Sequence, residues 1–293
     1  MLPDFVIAAI DSLRRALEPD EQPRDPEDVT PEPDDIGITT VGAWAGAASM
    51  ASASAIRRDI AFAKSIGLRR IDIIVNDHAA ERLPAKFTSY DLDKVTALAD
   101  AAGAAGLEVH LMSWLMPSTP YIDRAADILI PLVRRCRAKS IVWDCEEPWT
   151  LARNQLPHAA AAEIVADRFV GVPCGVTGIG YAPTEKLAPI CAVAEYIVPQ
   201  CYSTASSGLN PGTVVPKFAA RWRKVFPGKP MTIGLAAYRQ YGIPGYTPEA
   251  ALRAAFAGAE ADPPATTAIY WSLGQIRQSS IATRVLRDLT RRG

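Results

Sequence analysis

The sequence predicts an α/β fold, a closed (β/α)8 TIM barrel, and three observations carry that prediction. Strand-like runs recur eight times after residue 36, a helical pattern follows each run, and the eight units occupy about 255 residues, the size such barrels take. Strands alternating with helices imply parallel neighbours joined by right-handed crossovers. With 49% hydrophobic residues among 293, the chain carries enough apolar material for a core of that size. An open doubly wound sheet is the competing architecture. It calls for a glycine-rich phosphate turn after the first strand, and the GAWAGAASMAS segment from Gly42 lacks the dinucleotide spacing.

The elements follow in order. Residues 1–17 form an N-terminal segment in which Phe5, Val6, Ala9, Ile10, Leu13 and Leu17 fall at helical spacing, so an amphipathic helix is expected, docking on the barrel or on a partner. Residues 18–35 are dense in proline and acid and lack apolar content, which predicts an extended linker or strap. The barrel is expected over 36–293. Its strands are read from β-branched and apolar runs at 36–44, 70–76, 107–114, 139–145, 174–181, 195–202, 230–237 and 266–273. Its helices are read from apolar residues three and four apart at 55–66, 91–105, 122–136, 159–169, 184–192, 214–225, 248–259 and 279–290.

Charge and cysteine usage narrow the function. A formal net charge of −1 gives no general attraction to nucleic acid or anionic membrane, and no basic run supplies a local one. The five cysteines lack paired spacing, so neither a zinc ribbon nor a disulfide framework is indicated. No run is long enough to span a bilayer, and the acid at Asp4 and the short apolar run do not make a signal peptide. The chain is therefore expected to be cytoplasmic as synthesised. If it acts on a cell wall, phage lysis or a secretion system would deliver it there.

The most chemically loaded stretch is Ser140 to Trp149, SIVWDCEEPW. Strand alternation puts Val142, Asp144 and Glu146 on one face, and Trp143, Cys145 and Glu147 on the other. In a barrel of this kind the chemistry sits at the C-terminal strand ends. Those ends offer Trp44, Asn76 with Asp77 and His78, Trp114, Asp144 with Glu146, Tyr181, Gln200 with Tyr202, Tyr238 and Trp271, with Trp149 just beyond the acids. Aromatic faces pack on the C–H faces of sugars, while amides and carboxylates pair with their hydroxyls. A glycosidase also needs a protonated carboxyl beside the glycosidic oxygen. Glu146, nearer the mouth, is the candidate acid, and Asp144 the deeper assisting group. Trp44, Asn76, Asp77, Trp114, Trp149, Tyr181, Gln200, Tyr238 and Trp271 are the candidate substrate contacts.

On these residues the chain resembles the family 18 chitinases, whose signature closes in Asp-x-Glu on the fourth strand of a (β/α)8 barrel. Val41-Gly42-Ala43-Trp44, Gln200-Cys201-Tyr202 and Tyr270-Trp271-Ser272-Leu273 are further points of similarity. The resemblance implies Glu146 as the acid, Asp144 orienting the substrate's N-acetyl group, Tyr202 supporting it, and Trp271 flooring the sugar site. The chitinase signature carries an earlier aspartate where this chain has Val142. Asp-x-Glu without that aspartate is similar to the family 25 lysozyme-like muramidases, which cut peptidoglycan and carry a first-strand acid that is missing from residues 37–44.

The expected function is hydrolysis of an N-acetylhexosamine polymer such as peptidoglycan or chitin, with a carbohydrate polymer as partner and no cofactor. Two other classes stay open. One is a non-catalytic barrel that binds glycan or a partner in a larger, possibly virion, assembly. The other is a metal-dependent sugar isomerase or lyase, for which Asp77, Asp144 and Glu146 would supply hard oxygen ligands. The histidines are too scattered for a hydrolytic zinc site: His110 is expected to be a satisfied core residue and His158 a surface one. No serine-centred elbow is present.

Overall fold

The computed structural model describes residues 38–76, 87–150, 158–181, 184–205, 207–261 and 265–291. The N-terminal helix and the linker expected from the sequence lie outside these residues, as do Asp77 and His78. Within them the chain runs β1 (Thr40–Ala45), α1 (Ala53–Ser65), β2 (Arg70–Asn76), α2 (Leu92–Ala104), β3 (Glu108–Trp114), α3 (Thr119–Cys136), β4 (Ile141–Asp144) and the one-turn α4 (Glu147–Thr150). It continues through α5 (His158–Arg168), β5 (Cys174–Ile179), α6 (Thr184–Val193), β6 (Tyr196–Gln200), α7 (Pro211–Val225) and β7 (Thr232–Ala236). The last elements are α8 (Pro248–Glu260), β8 (Thr267–Trp271), α9 (Leu273–Gln278) and α10 (Ser280–Thr290). All eight strands are parallel and close in sequence order, with β8 pairing β1. This is the (β/α)8 barrel expected from the alternation.

Local chemistry sets the helix starts. Ser52, Asp91, Asn210, Thr247 and Ser279 each accept a hydrogen bond from a backbone N–H of the first turn, so orphan donors are satisfied at the caps. Proline in the first turn starts α3 and α7 three residues earlier than the apolar spacing suggests, because its fixed φ suits a turn where the N–H has no intrahelical partner. The helix α3 ends on Arg137, whose left-handed φ of 51° turns the chain toward β4.

Strand register sorts the barrel interior into layers. At the N-terminal end Arg70 donates to both Asp72 oxygens (2.7 and 2.9 Å), and its guanidinium sits over the Tyr196 ring. The Tyr196 hydroxyl meets Ser140 Oγ at 2.6 Å, and Ser140 meets His110 Nδ1 at 2.8 Å, so His110 is the satisfied core histidine the sequence predicts. Burial opposes the charge on Arg70, and the Asp72 carboxylate with its hydrogen bonds more than restores it.

Above this polar layer lies an apolar one of Trp44, Ile74, Met112, Val142, Val198 and Ile269. Val142, which stands where the chitinase signature has an acid, is fully buried here. Trp44 reaches across the barrel to Gly234, where an added Cβ would lie 3.0 Å from its ring and 3.1 Å from the Pro199 carbonyl. Glycine on β7 therefore makes room for the indole of β1.

Candidate active site

The third layer opens to the mouth, and β4 ends in it at Asp144. Strand alternation stops there: Glu146 lies in the loop leading into α4, not on the strand as the periodicity suggests. The two acids still sense each other. Asp144 is buried and Glu146 half-buried. Burial first, then the charge of Glu146, holds the Asp144 carboxyl well above the usual range, while a hydrogen bond from Gln200 works the other way. Gln200 Nε2 lies 3.1 Å from Asp144 Oδ1 and 3.3 Å from Thr177 Oγ1.

Three tyrosines stand around this pair. Burial raises all three phenols, most strongly Tyr202; next come Tyr238, Asp144 and Glu146 for Tyr202, and Glu146 alone for Tyr181. At Tyr238 burial is opposed by Arg239 and reinforced by Glu146. All three are therefore neutral hydroxyls near neutral pH, able to donate to a carboxylate or a sugar oxygen. The rings of Tyr202 and Tyr238 meet edge to face at 6.1 Å. Their loops are tied together by Gln240, which donates to the carbonyls of Ser203, Ala236 and Tyr238, and by Ala205 N to Arg239 O at 2.8 Å. Tyr181 is held from behind: Arg221 donates to its carbonyl, and Trp222 Nε1 to that of Gly180.

Trp271 is half-buried at the end of β8 and packs on Trp44, with centroids 5.7 Å apart. The peptide between Trp271 and Ser272 is cis. Trp44 itself is fully buried, so it supports Trp271 from below and offers no open face to a ligand.

Of the residues singled out in the sequence, Asp144, Glu146, Tyr181, Gln200, Tyr202, Tyr238 and Trp271 meet at the mouth. Others are built into the wall. Both groups of the Asn76 amide are engaged: Oδ1 accepts from Trp114 N (3.0 Å) and Ser113 Oγ (2.9 Å), and Nδ2 donates to Tyr121 Oη at 2.9 Å. Trp114 is buried edge-on to Tyr121. Trp149 is fully buried, donates through Nε1 to Leu115 O (2.8 Å) and stacks near His158. His158 is accordingly half-buried and not on the surface, and burial, then Lys186, lowers its pKa. Cys145 lies between the two acids in sequence but is fully buried; burial, then Cys191 and the acids, pushes its thiol well up, so it stays protonated.

Two residues of this region carried no sequence signal. Tyr90, just before α2, packs against the apolar layer beside Trp44. Thr177 is paired in register with Asp144 and touches Gln200. The register of β4 against β5 would have pointed to Thr177, whereas Tyr90 follows residues that no periodicity places.

Solved structures share this architecture at low identity. A mannanase catalytic domain from Streptomyces sp. SirexAA-E is 15% identical, with a TM-score of 0.51 over 87% of this chain and 86% of that one. GH5_18 from Streptomyces cattleya, in complex with GlcNAc, is 12% identical, with a TM-score of 0.61 over 87% and 80%. A β-mannanase from the blue mussel Mytilus edulis is 13% identical, with a TM-score of 0.55 over 86% and 92%. The shared feature is the barrel. No protein-family model matches the chain, and no curated protein matches it in sequence.

Proposed function

We propose that this chain is a glycosidase of N-acetylhexosamine polymers, peptidoglycan ahead of chitin, with Glu146 as general acid and Asp144 as its assisting group. The observation that carries the reading is the pair of acids itself, a buried Asp144 and a half-buried Glu146 two residues apart at the end of β4, with three neutral tyrosines near them. Among the described C-terminal strand ends, which face the mouth, carboxylates occur only here. A protein nucleophile would need a second acid across the sugar ring from the first. A substrate that carries its own nucleophile, the N-acetyl carbonyl, needs only one acid and a group to orient the acetamide.

In this mechanism Glu146 gives its proton to the glycosidic oxygen as the bond to the anomeric carbon breaks. The acetamide oxygen closes on that carbon, and Asp144 accepts from the acetamide N–H, stabilising the cyclic cation. Water then opens it, returning a proton to Glu146. Tyr202 donates to the acetamide oxygen, Trp271 carries the C–H face of the ring, and Tyr181 and Tyr238 flank Glu146.

Digestion of purified peptidoglycan, chitin oligomers and β-mannan, with mass analysis of the new reducing ends, tests the reading. N-acetylhexosamine ends support it. Cleavage of mannan alone would replace the substrate class. Glycan binding without product would make this a binding barrel, and activity lost to a chelator would point to a metal-dependent enzyme.

A further inference from the structure

Asp144, Thr177 and Gln200 come from three successive strands, Asp144 paired with Thr177, and Gln200 two residues beyond Val198, the partner of Thr177 on β6. All three side chains are buried, so their polar atoms need hydrogen-bond partners there. The Thr177 hydroxyl has one hydrogen, and it goes to the Val198 carbonyl at 2.8 Å. Toward Gln200 this hydroxyl can therefore only accept. That requires the nitrogen end of the Gln200 amide at 3.3 Å, and its second hydrogen then falls to Asp144 Oδ1 at 3.1 Å. With the amide reversed, its oxygen would face a lone pair on Thr177 and a carboxylate oxygen on Asp144.

We propose that Thr177 is a positioning residue that locks the Gln200 amide with its N–H toward Asp144, leaving Oδ2 as the oxygen that carries the proton whenever Asp144 is neutral. This rests on the reading of Asp144 and Glu146 as the working pair and adds a residue whose hydroxyl acts on Asp144 through Gln200. The lock matters because the proton has two possible homes. With the N–H fixed on Oδ1, the charged form of Asp144 is helped against the burial and the Glu146 charge that oppose it, so Asp144 holds the shared proton less tightly. Without the Thr177 hydroxyl the amide can turn and accept from a protonated Asp144, drawing the proton away. The other titratable groups facing Asp144 are Cys145, on the same segment, and Tyr202, beyond β6; both are neutral.

The test follows the Asp144 carboxyl directly, by infrared absorption of its protonated C=O against pH, assigned by subtracting the Asp144→Asn spectrum. In Thr177→Val the titration midpoint is expected to rise by about one pH unit, and Thr177→Ser, which keeps the hydroxyl, is expected to restore the wild-type midpoint. The pH profile of kcat/KM on a cleaved glycan is expected to move upward with it. Should the valine variant fail to fold, Thr177→Ala removes the same hydroxyl. An unmoved midpoint in a folded variant without the hydroxyl overturns the proposal. If the wild type cleaves no glycan, the proposed function fails, while the infrared titration still decides the role of Thr177.

Discussion

Asp144 Oδ1 and Gln200 Nε2 lie 3.1 Å apart although β5 separates their strands, so the hydrogen bond spans the inside of the barrel. It is the direct polar contact that favours the charged form of an acid otherwise pushed toward neutrality by burial and by Glu146. Any charge on Asp144 is therefore stored against burial and against Glu146.

That storage has a sign that can be measured. The folded pKa of Asp144 is raised, so the folded chain binds this proton more tightly than the unfolded chain does. Stability is lost as pH rises from the unfolded value, about 3.9, through the folded one. Asp144→Asn keeps an acceptor for Gln200 and removes the charge. Thermal unfolding is expected to show a higher Tm than wild type at pH 7 and no gain at pH 4; a uniform loss at both pH values would contradict the buried-charge account.

At the opposite end, removing one partner of the Arg70–Asp72 pair leaves a buried charge alone. Asp72→Ala is expected to cost about 3–5 kcal/mol in chemical denaturation. The double change Arg70→Met with Asp72→Leu is expected to lose far less, since neither charge is left behind. Equal losses would mean that the network of Tyr196, Ser140 and His110 needs the guanidinium itself.

Gly234→Ala tests how Trp44 is seated. The new methyl meets the indole at 3.0 Å and the Pro199 carbonyl at 3.1 Å. A destabilisation of about 1–3 kcal/mol is expected from the forced shift, with weaker sugar binding as Trp271 moves with Trp44. Full stability with unchanged binding would show that the indole has room to slide.

Much of this was legible in the sequence. Eight apolar runs and eight helical patterns sufficed for the barrel, because buried parallel strands and amphipathic helices leave strong periodic signals. Strand ends were less legible, since residues such as Cys145, Cys201 and Tyr202 continue an apolar pattern after leaving the sheet. At the site, the strand-end reading named the acids, the tyrosines and Trp271, which the barrel carries at the C-terminal ends of its strands or just beyond them. It could not separate Trp271, half-open at the mouth, from Trp114 and Trp149, whose indoles pack into the wall. An aromatic at a strand end looks the same in either place, and only the neighbours distinguish them. Thr177 was silent because its role lies in a single hydroxyl hydrogen.

Trp271→Ala removes the half-open indole while leaving both acids in place. Titration calorimetry with short N-acetylhexosamine oligomers is expected to show affinity about 10-fold lower, with a lower Tm from the lost packing on Trp44 but a folded protein. Unaltered affinity would place the sugar elsewhere.

The most direct measurement is the rate of glycan cleavage by Glu146→Gln, alongside circular dichroism and glycan binding on the same preparation. The expected result is a fall in kcat of ~10²–10⁴-fold with fold and binding retained. Hydrolysis at the wild-type rate by a folded Glu146→Gln protein would contradict the assignment of Glu146 as the acid.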